Sequence, residues 1–215
     1  MTDQVKRDLI ALVGDKSIQM TPQAMLSGRN SSLGIRPVEH EIRVAEDYDS
    51  GCHRQGPLLL QGQLHRYEHA LIVHDRHGCG RERLRREDLE ADQEQRLSDS
   101  GWGTRAAAIV IDPELETWVW AQSPHVAGIL GWRGNLRSLR AWLEEKGHWH
   151  AGTAKPWDPK GAMRLVLHQG DVRHSSALFR ALAGKVSLAR CEDASFAKLK
   201  ATLRAWFGVE EGHNP

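Results

Sequence analysis

The sequence predicts an α/β protein: a mainly parallel sheet flanked by helices, with a helical C-terminal appendage. Three observations carry that expectation. The runs Leu9-Ile10-Ala11-Leu12-Val13, Ala70-Leu71-Ile72-Val73 and Ala106-Ala107-Ala108-Ile109-Val110-Ile111 are continuously apolar, the pattern of strands buried on both faces. Helix-favouring stretches separate these runs. Beyond residue 130 the patterning is helical throughout, which divides the chain into an α/β domain over 1–130 and a helical subdomain over 131–215 packed on it.

Taken in order, residues 5–13 read as the first strand. Thr21-Pro22 has the N-cap and first-turn proline of a helix start, with 28–34 as a Gly/Asn/Ser loop. Residues 35–44 read as a second strand, placed at a sheet edge by Pro37. The stretch 47–57, with Asp49-Ser50-Gly51 and Gly56-Pro57, reads as turns, and 58–67 as a short helix feeding the strand at 70–75. Residues 84–97 are highly charged and sparsely apolar, an exposed helix, broken by Ser100-Gly101-Trp102-Gly103 before the strand at 106–112. A helix then begins over 114–121. Asn135, Asp158-Pro159 and Ser175 or Ser176 are caps of three further helices, and Phe196, Leu199, Leu203, Trp206 and Phe207 form the clearest amphipathic spacing in the chain. Residues 208–215 read as a frayed tail.

Composition excludes several function classes. The chain has 215 residues, 29 basic and 28 acidic, for a net charge of +1, so no long-range field steers it to nucleic acid or membrane. No apolar stretch approaches the roughly 18 residues of a membrane span, and the first residues lack the basic start and apolar run of a signal peptide. Cys52, Cys79 and Cys191 are odd in number and widely spaced, which argues against a disulfide framework and points to the reducing cytoplasm. Eight tryptophans are present, five of them at 102, 118, 120, 132 and 142. Core packing is their plain explanation, and a docking face over 118–142 is the alternative.

In an open α/β sheet, ligands bind outside the carboxyl ends of the strands. Asp15, Asp75 and Asp112 follow the three apolar runs, and Glu114 and Glu116 come immediately after the third. Carboxylates held close repel one another unless a cation joins them, and a set of hard oxygen ligands suits magnesium or manganese. Such a centre activates water or stabilises a phosphoryl transition state. Helix capping and turn formation are the plain alternative for each acid. Lys16 either meets a phosphate or neutralises Asp15. The loop after Asp75 sets Gly78 and Gly80 among Arg76, Arg81, Arg83, Arg85 and Arg86, which fits a nucleic-acid backbone. Glu82, Glu87, Asp88 and Glu90 give the same segment a second reading as a solvated helix face. His77, two residues after Asp75, is a metal-site neighbour or a general base near neutral pH. No phosphate-cradling Gly-x-x-x-x-Gly-Lys and no Gly-x-Ser-x-Gly occurs.

The layout of Leu9 to Lys16, the loop Asp75-Arg76-His77-Gly78-Cys79-Gly80, and Pro113-Glu114-Leu115-Glu116-Thr117-Trp118 resembles Toprim-like proteins of unknown function from bacterial phage-defence loci. Among these it is most similar to the small stand-alone component of methylation-associated defence systems, and residues 191–203 resemble that family's ending. The resemblance implies a Toprim/Rossmann-like sheet. Toprim domains hold magnesium with a Glu after the first strand and an Asp-x-Asp after a later one. On this chain those positions fall on Asp15, one methylene shorter, and on Asp75 with His77 in the second place; Glu114 or Glu116 is the further acid. Imidazole in place of carboxylate weakens a magnesium site and favours manganese or zinc.

The expectation is therefore a nuclease-like, Mg- or Mn-dependent enzyme of anti-phage defence, processing nucleic-acid phosphodiesters. Asp15, Asp75 and Glu116 are its expected metal ligands, Glu114 and His77 complete the catalytic set, and Lys16, Arg76 and Arg81 contact phosphate. Nucleic acid and other defence proteins are its expected partners. The alternative is a catalytically inactive Toprim-like module that binds partner proteins of a defence complex. A small-molecule hydrolase using the same metal site is a third.

Overall fold

The computed structural model describes residues 5–209; part of the expected frayed tail, 210–215, lies outside them. The chain is α/β, with one four-stranded sheet in the order β2-β1-β3-β4, every neighbouring pair parallel. The strands are β1 (Arg7–Val13), β2 (His40–Val44), β3 (Tyr67–Asp75) and β4 (Ala106–Ile111). Side chains of successive residues go to opposite faces. Leu9, Ala11, Val13, Leu71, Val73, Ile109 and Ile111 pack on one side, and Ile10, Leu12, Ala70, Ile72 and Ala108 on the other. This two-sided burial is what the unbroken apolar runs encode. It yields a Rossmann/Toprim-like three-layer arrangement.

The first face carries α1 (Lys16–Gly28) and six C-terminal helices: α5 (Glu116–Val119), α6 (His125–Ile129), α7 (Leu136–Glu145), α8 (Pro159–Gln169), α9 (Ser176–Lys185) and α10 (Ala194–Phe207). Asn135 and Asp158 cap α7 and α8 as their sequence predicts, and Phe196, Leu199, Leu203 and Phe207 are the buried stripe of α10. The opposite face carries α3 (Tyr48–Gln61) and α4 (Arg86–Leu97).

Several local expectations are corrected. Helix α1 starts at Lys16 rather than at Thr21-Pro22, because the Asp15 carboxylate accepts from Ile18 N at 2.7 Å and caps it there. Pro22 sits inside the helix, where Thr21 donates its hydroxyl to Ser17 O at 3.0 Å. The loop at 28–34 contains a short helix, α2 (Asn30–Leu33). The second strand is shorter than 35–44, and it does lie at an edge.

The largest difference is at 47–57, which is helix α3 and not turns. Its glycines serve packing rather than chain reversal. A methyl on Gly56 would lie 2.8 Å from Ile72 Cδ1, so the residue lets the helix approach β3 closely.

Helix α4 is also more than a solvated helix. Its Leu89, Glu90, Gln93 and Leu97 are buried. Glu94 and Glu90 accept from Ala108 N (3.1 Å) and Val110 N (3.0 Å), so they satisfy the outer edge of β4. Lys198 of α10 neutralises both glutamates, at 3.2 and 2.7 Å.

Trp102, Trp118, Trp120 and Trp149 are buried, and Trp132 packs at a 40° tilt against Trp142 with centroids 4.9 Å apart, both half-buried. Within the 118–142 segment Trp118 and Trp120 are buried and Trp132 and Trp142 keep part of their surface exposed. Trp157 is the exposed one.

Candidate metal centre

With the strand order β2-β1-β3-β4, the chain leaves β1 toward one side and returns to the other, so the switch point lies between β1 and β3. Asp15 follows β1, and Asp75 is the last residue of β3. The turn after β4 brings Glu114 and then Glu116, the first residue of α5, to the same end of the sheet. One carboxylate oxygen from each of Asp75, Glu114 and Glu116 lies within 4.8 Å of the others. All three residues are nearly buried: 9 %, 7 % and 4 % exposed.

A fourth acid enters from α3. Asp49 Oδ1 accepts from the backbone N–H of Asp75 at 3.0 Å. Gly14 leaves room for it, since a methyl there would fall 1.9 Å from that oxygen.

The electrostatics record the crowding. Burial, then the charges of Asp49, Glu116, Asp15 and Glu114, push the Asp75 carboxyl well above the usual range. Burial also raises Asp49, opposed by the Asp75 N–H and helped by Asp15. Glu116 is raised by burial and by Glu114, against the lowering influence of Lys160 and His174. Asp75 Oδ1 is buried with no hydrogen-bond partner. An orphaned buried acceptor costs on the order of 1–3 kcal/mol, more when charged. The donor set, all carboxylate oxygen with one orphaned, fits a divalent cation.

Two basic side chains approach from the helical C-terminal part. Lys160, the second residue of α8, donates to Glu114 Oε2 at 2.6 Å. Burial pulls the ammonium down, but the bond to Glu114 and the charges of Glu116, Glu114 and Asp75 outweigh it and raise it. His174 Nε2 stands 3.7 Å from Glu116 Oε1.

Of the residues singled out in the sequence, Asp75, Glu114 and Glu116 come together. Asp15 lies close enough to raise Asp75, with one oxygen committed to its cap on Ile18 N. Asp112 turns away and accepts from Arg76 Nε at 2.8 Å, and Arg76 Nη1 donates to Glu82 O at 2.6 Å. His77, Lys16 and Arg81 are exposed. The neighbouring His74 is fully buried, joined to Gln93 Oε1 and to the Asp75 carbonyl, both at 2.8 Å, so it braces the end of β3.

Sequence reasoning missed Asp49, Lys160 and His174. The Asp158-Pro159 cap does place Lys160 in a first helical turn, but nothing local ties that turn to Glu114. No family model, curated protein or solved structure matches the chain.

Proposed function

We propose that the chain is a divalent-metal-dependent enzyme acting on phosphodiesters of nucleic acid, with Mg or Mn as its ion. The observation that carries this reading is the orphaned, buried Asp75 Oδ1 beside Glu114 and Glu116 at the switch point of the sheet. Asp75, Glu114 and Glu116 would hold the ion, with Asp49 and Asp15 as the surrounding acids. A bound ion would supply Lewis-acid polarisation of a phosphoryl oxygen and acidify a coordinated water. The chain's own contribution is to fix the carboxylates: β3 aims Asp75, the Asp49–Asp75 bond holds the strand end, and Lys160 orients Glu114. The resemblance to Toprim-like proteins of phage-defence loci supports a place in anti-phage defence in the cytoplasm, alongside partner proteins. No described helix is long and apolar enough to cross a membrane.

The test is calorimetric titration of Mn²⁺ and Mg²⁺ into wild type and Asp75→Asn, with DNA and RNA cleavage followed in parallel. Binding and cleavage should both fall at least about 100-fold in the variant, since a metal ligand is lost. Cleavage undiminished in a pure Asp75→Asn protein overturns the assignment.

A second reading has its own observation. The Lys160–Glu114 pair and the internal use of Arg76 on Asp112 resemble charge neutralisation within a non-catalytic module. That module would bind partner proteins of a defence complex. Failure of wild type to bind either ion favours it.

A further inference from the structure

Resting on the metal reading, we propose that the centre takes one divalent ion and that the Lys160 ammonium is its permanent second cation. Lys160 would then do for a phosphodiester what a second ion does in two-metal sites: offset charge on the non-reacting oxygens and the leaving group.

Charge is the first argument. Five carboxylates, Asp15, Asp49, Asp75, Glu114 and Glu116, act on one another here. Among the described residues, Lys160 is the only lysine or arginine within ion-pair distance of any of them. A single divalent ion leaves much of that charge uncompensated, and the ammonium is the resident complement.

Position is the second. Lys160 hydrogen-bonds to Glu114 Oε2 and to no oxygen of Asp75, whose Oδ1 keeps no partner. The lysine therefore leaves the deepest acceptor open, and ion and ammonium divide the cluster, with Glu114 the acid they share. The Lys160 side chain is 36 % exposed against 9 % for Glu114, so it sits at the rim, where a substrate phosphate arrives.

Rigidity is the third. Asp158 Oδ1 accepts from Gly161 N at 2.9 Å, and Trp120 Nε1 donates to Pro159 O at 3.0 Å. Trp120 directly follows α5, the helix that begins with Glu116, so the backbone beneath Lys160 is tied to the backbone carrying the acids. A mere solubilising lysine needs no such bracing.

The experiment titrates Mn²⁺ into the full chain by calorimetry, in wild type, Lys160→Met and Lys160→Arg, with thermal melts confirming that each is folded. Wild type should bind one ion per chain. Lys160→Met should bind two ions per chain, and Lys160→Arg should return to one. Two ions in wild type overturn the proposal. So does a single ion in Lys160→Met, at whatever affinity it binds. Absence of binding in all three proteins overturns the metal reading itself, and this inference with it, so the two failures are distinguishable.

Discussion

The two ends of the same sheet handle acids in opposite ways. At the amino ends of the strands, Asp8 accepts from Arg36 at 2.6 and 2.9 Å, and Glu41 is surrounded by Tyr67, Arg7 and Arg43. The Arg36 bond holds Asp8 below the usual carboxylate range, and the Tyr67 hydroxyl followed by Arg43 takes Glu41 to about 2. At the carboxyl ends, Asp49, Asp75 and Glu116 are all raised. The amino end has three arginines, Arg7, Arg36 and Arg43, for three acids, Asp8, Glu39 and Glu41; the other has a single lysine for five. The acids at the amino end have arginine partners, whereas at the carboxyl end the buried Asp75 Oδ1 has none.

The sharpest way to break that comparison is Asp75→Asn. Without metal, the raised carboxyls bind protons more tightly folded than unfolded. Wild-type stability should therefore fall as pH rises from the ordinary aspartate value of 3.8 through the raised folded values. Asp75→Asn removes the most crowded charge. It should gain on the order of 2 kcal/mol at pH 7 over the metal-free wild type and flatten the slope, as read by urea unfolding across pH. Excess Mn²⁺ should stabilise wild type by about 2.7 kcal/mol at 100 times its Kd and the variant by no more than about 0.4 kcal/mol at the same concentration. A variant less stable than metal-free wild type would show that the cluster is not frustrated.

What the sequence disclosed follows the same division. Strands β1, β3 and β4 were legible because two-sided burial demands unbroken apolar runs, and Asp75 and Glu116 because they sit at the ends of such runs. Asp49 was not legible. Gly51, Gly56 and Pro57 imitate turn chemistry, while Gly56 actually answers the approach of Ile72 on β3. Lys160 was hidden for a different reason: its partner Glu114 is 46 residues away, and no local pattern encodes that contact. Asp15 was legible as an acid but ambiguous in role, since capping Ile18 N and facing a cation ask for the same residue.

At the amino end the signs reverse and the effects shrink. Glu41 has a depressed folded value, so its stabilisation is present above its unfolded value of 4.5 and is lost as pH falls toward about 2. Glu41→Gln should cost on the order of 1 kcal/mol at pH 7 after allowance for solvent screening, and nothing at the acid end of that window. Urea midpoints at the two pH values measure it, and an equal loss at both would assign Glu41 to packing instead.

The smallest effect belongs to Arg36, whose side chain is 47 % exposed beside Asp8. Arg36→Ala should cost about 0.5 kcal/mol at low salt and still less in 1 M NaCl, where the screening length is about 3 Å. The Asp75 cluster is buried, so its penalty should change far less over the same salt range. Measuring both variants in low and high salt therefore separates charges that water already screens from charges buried beyond its reach.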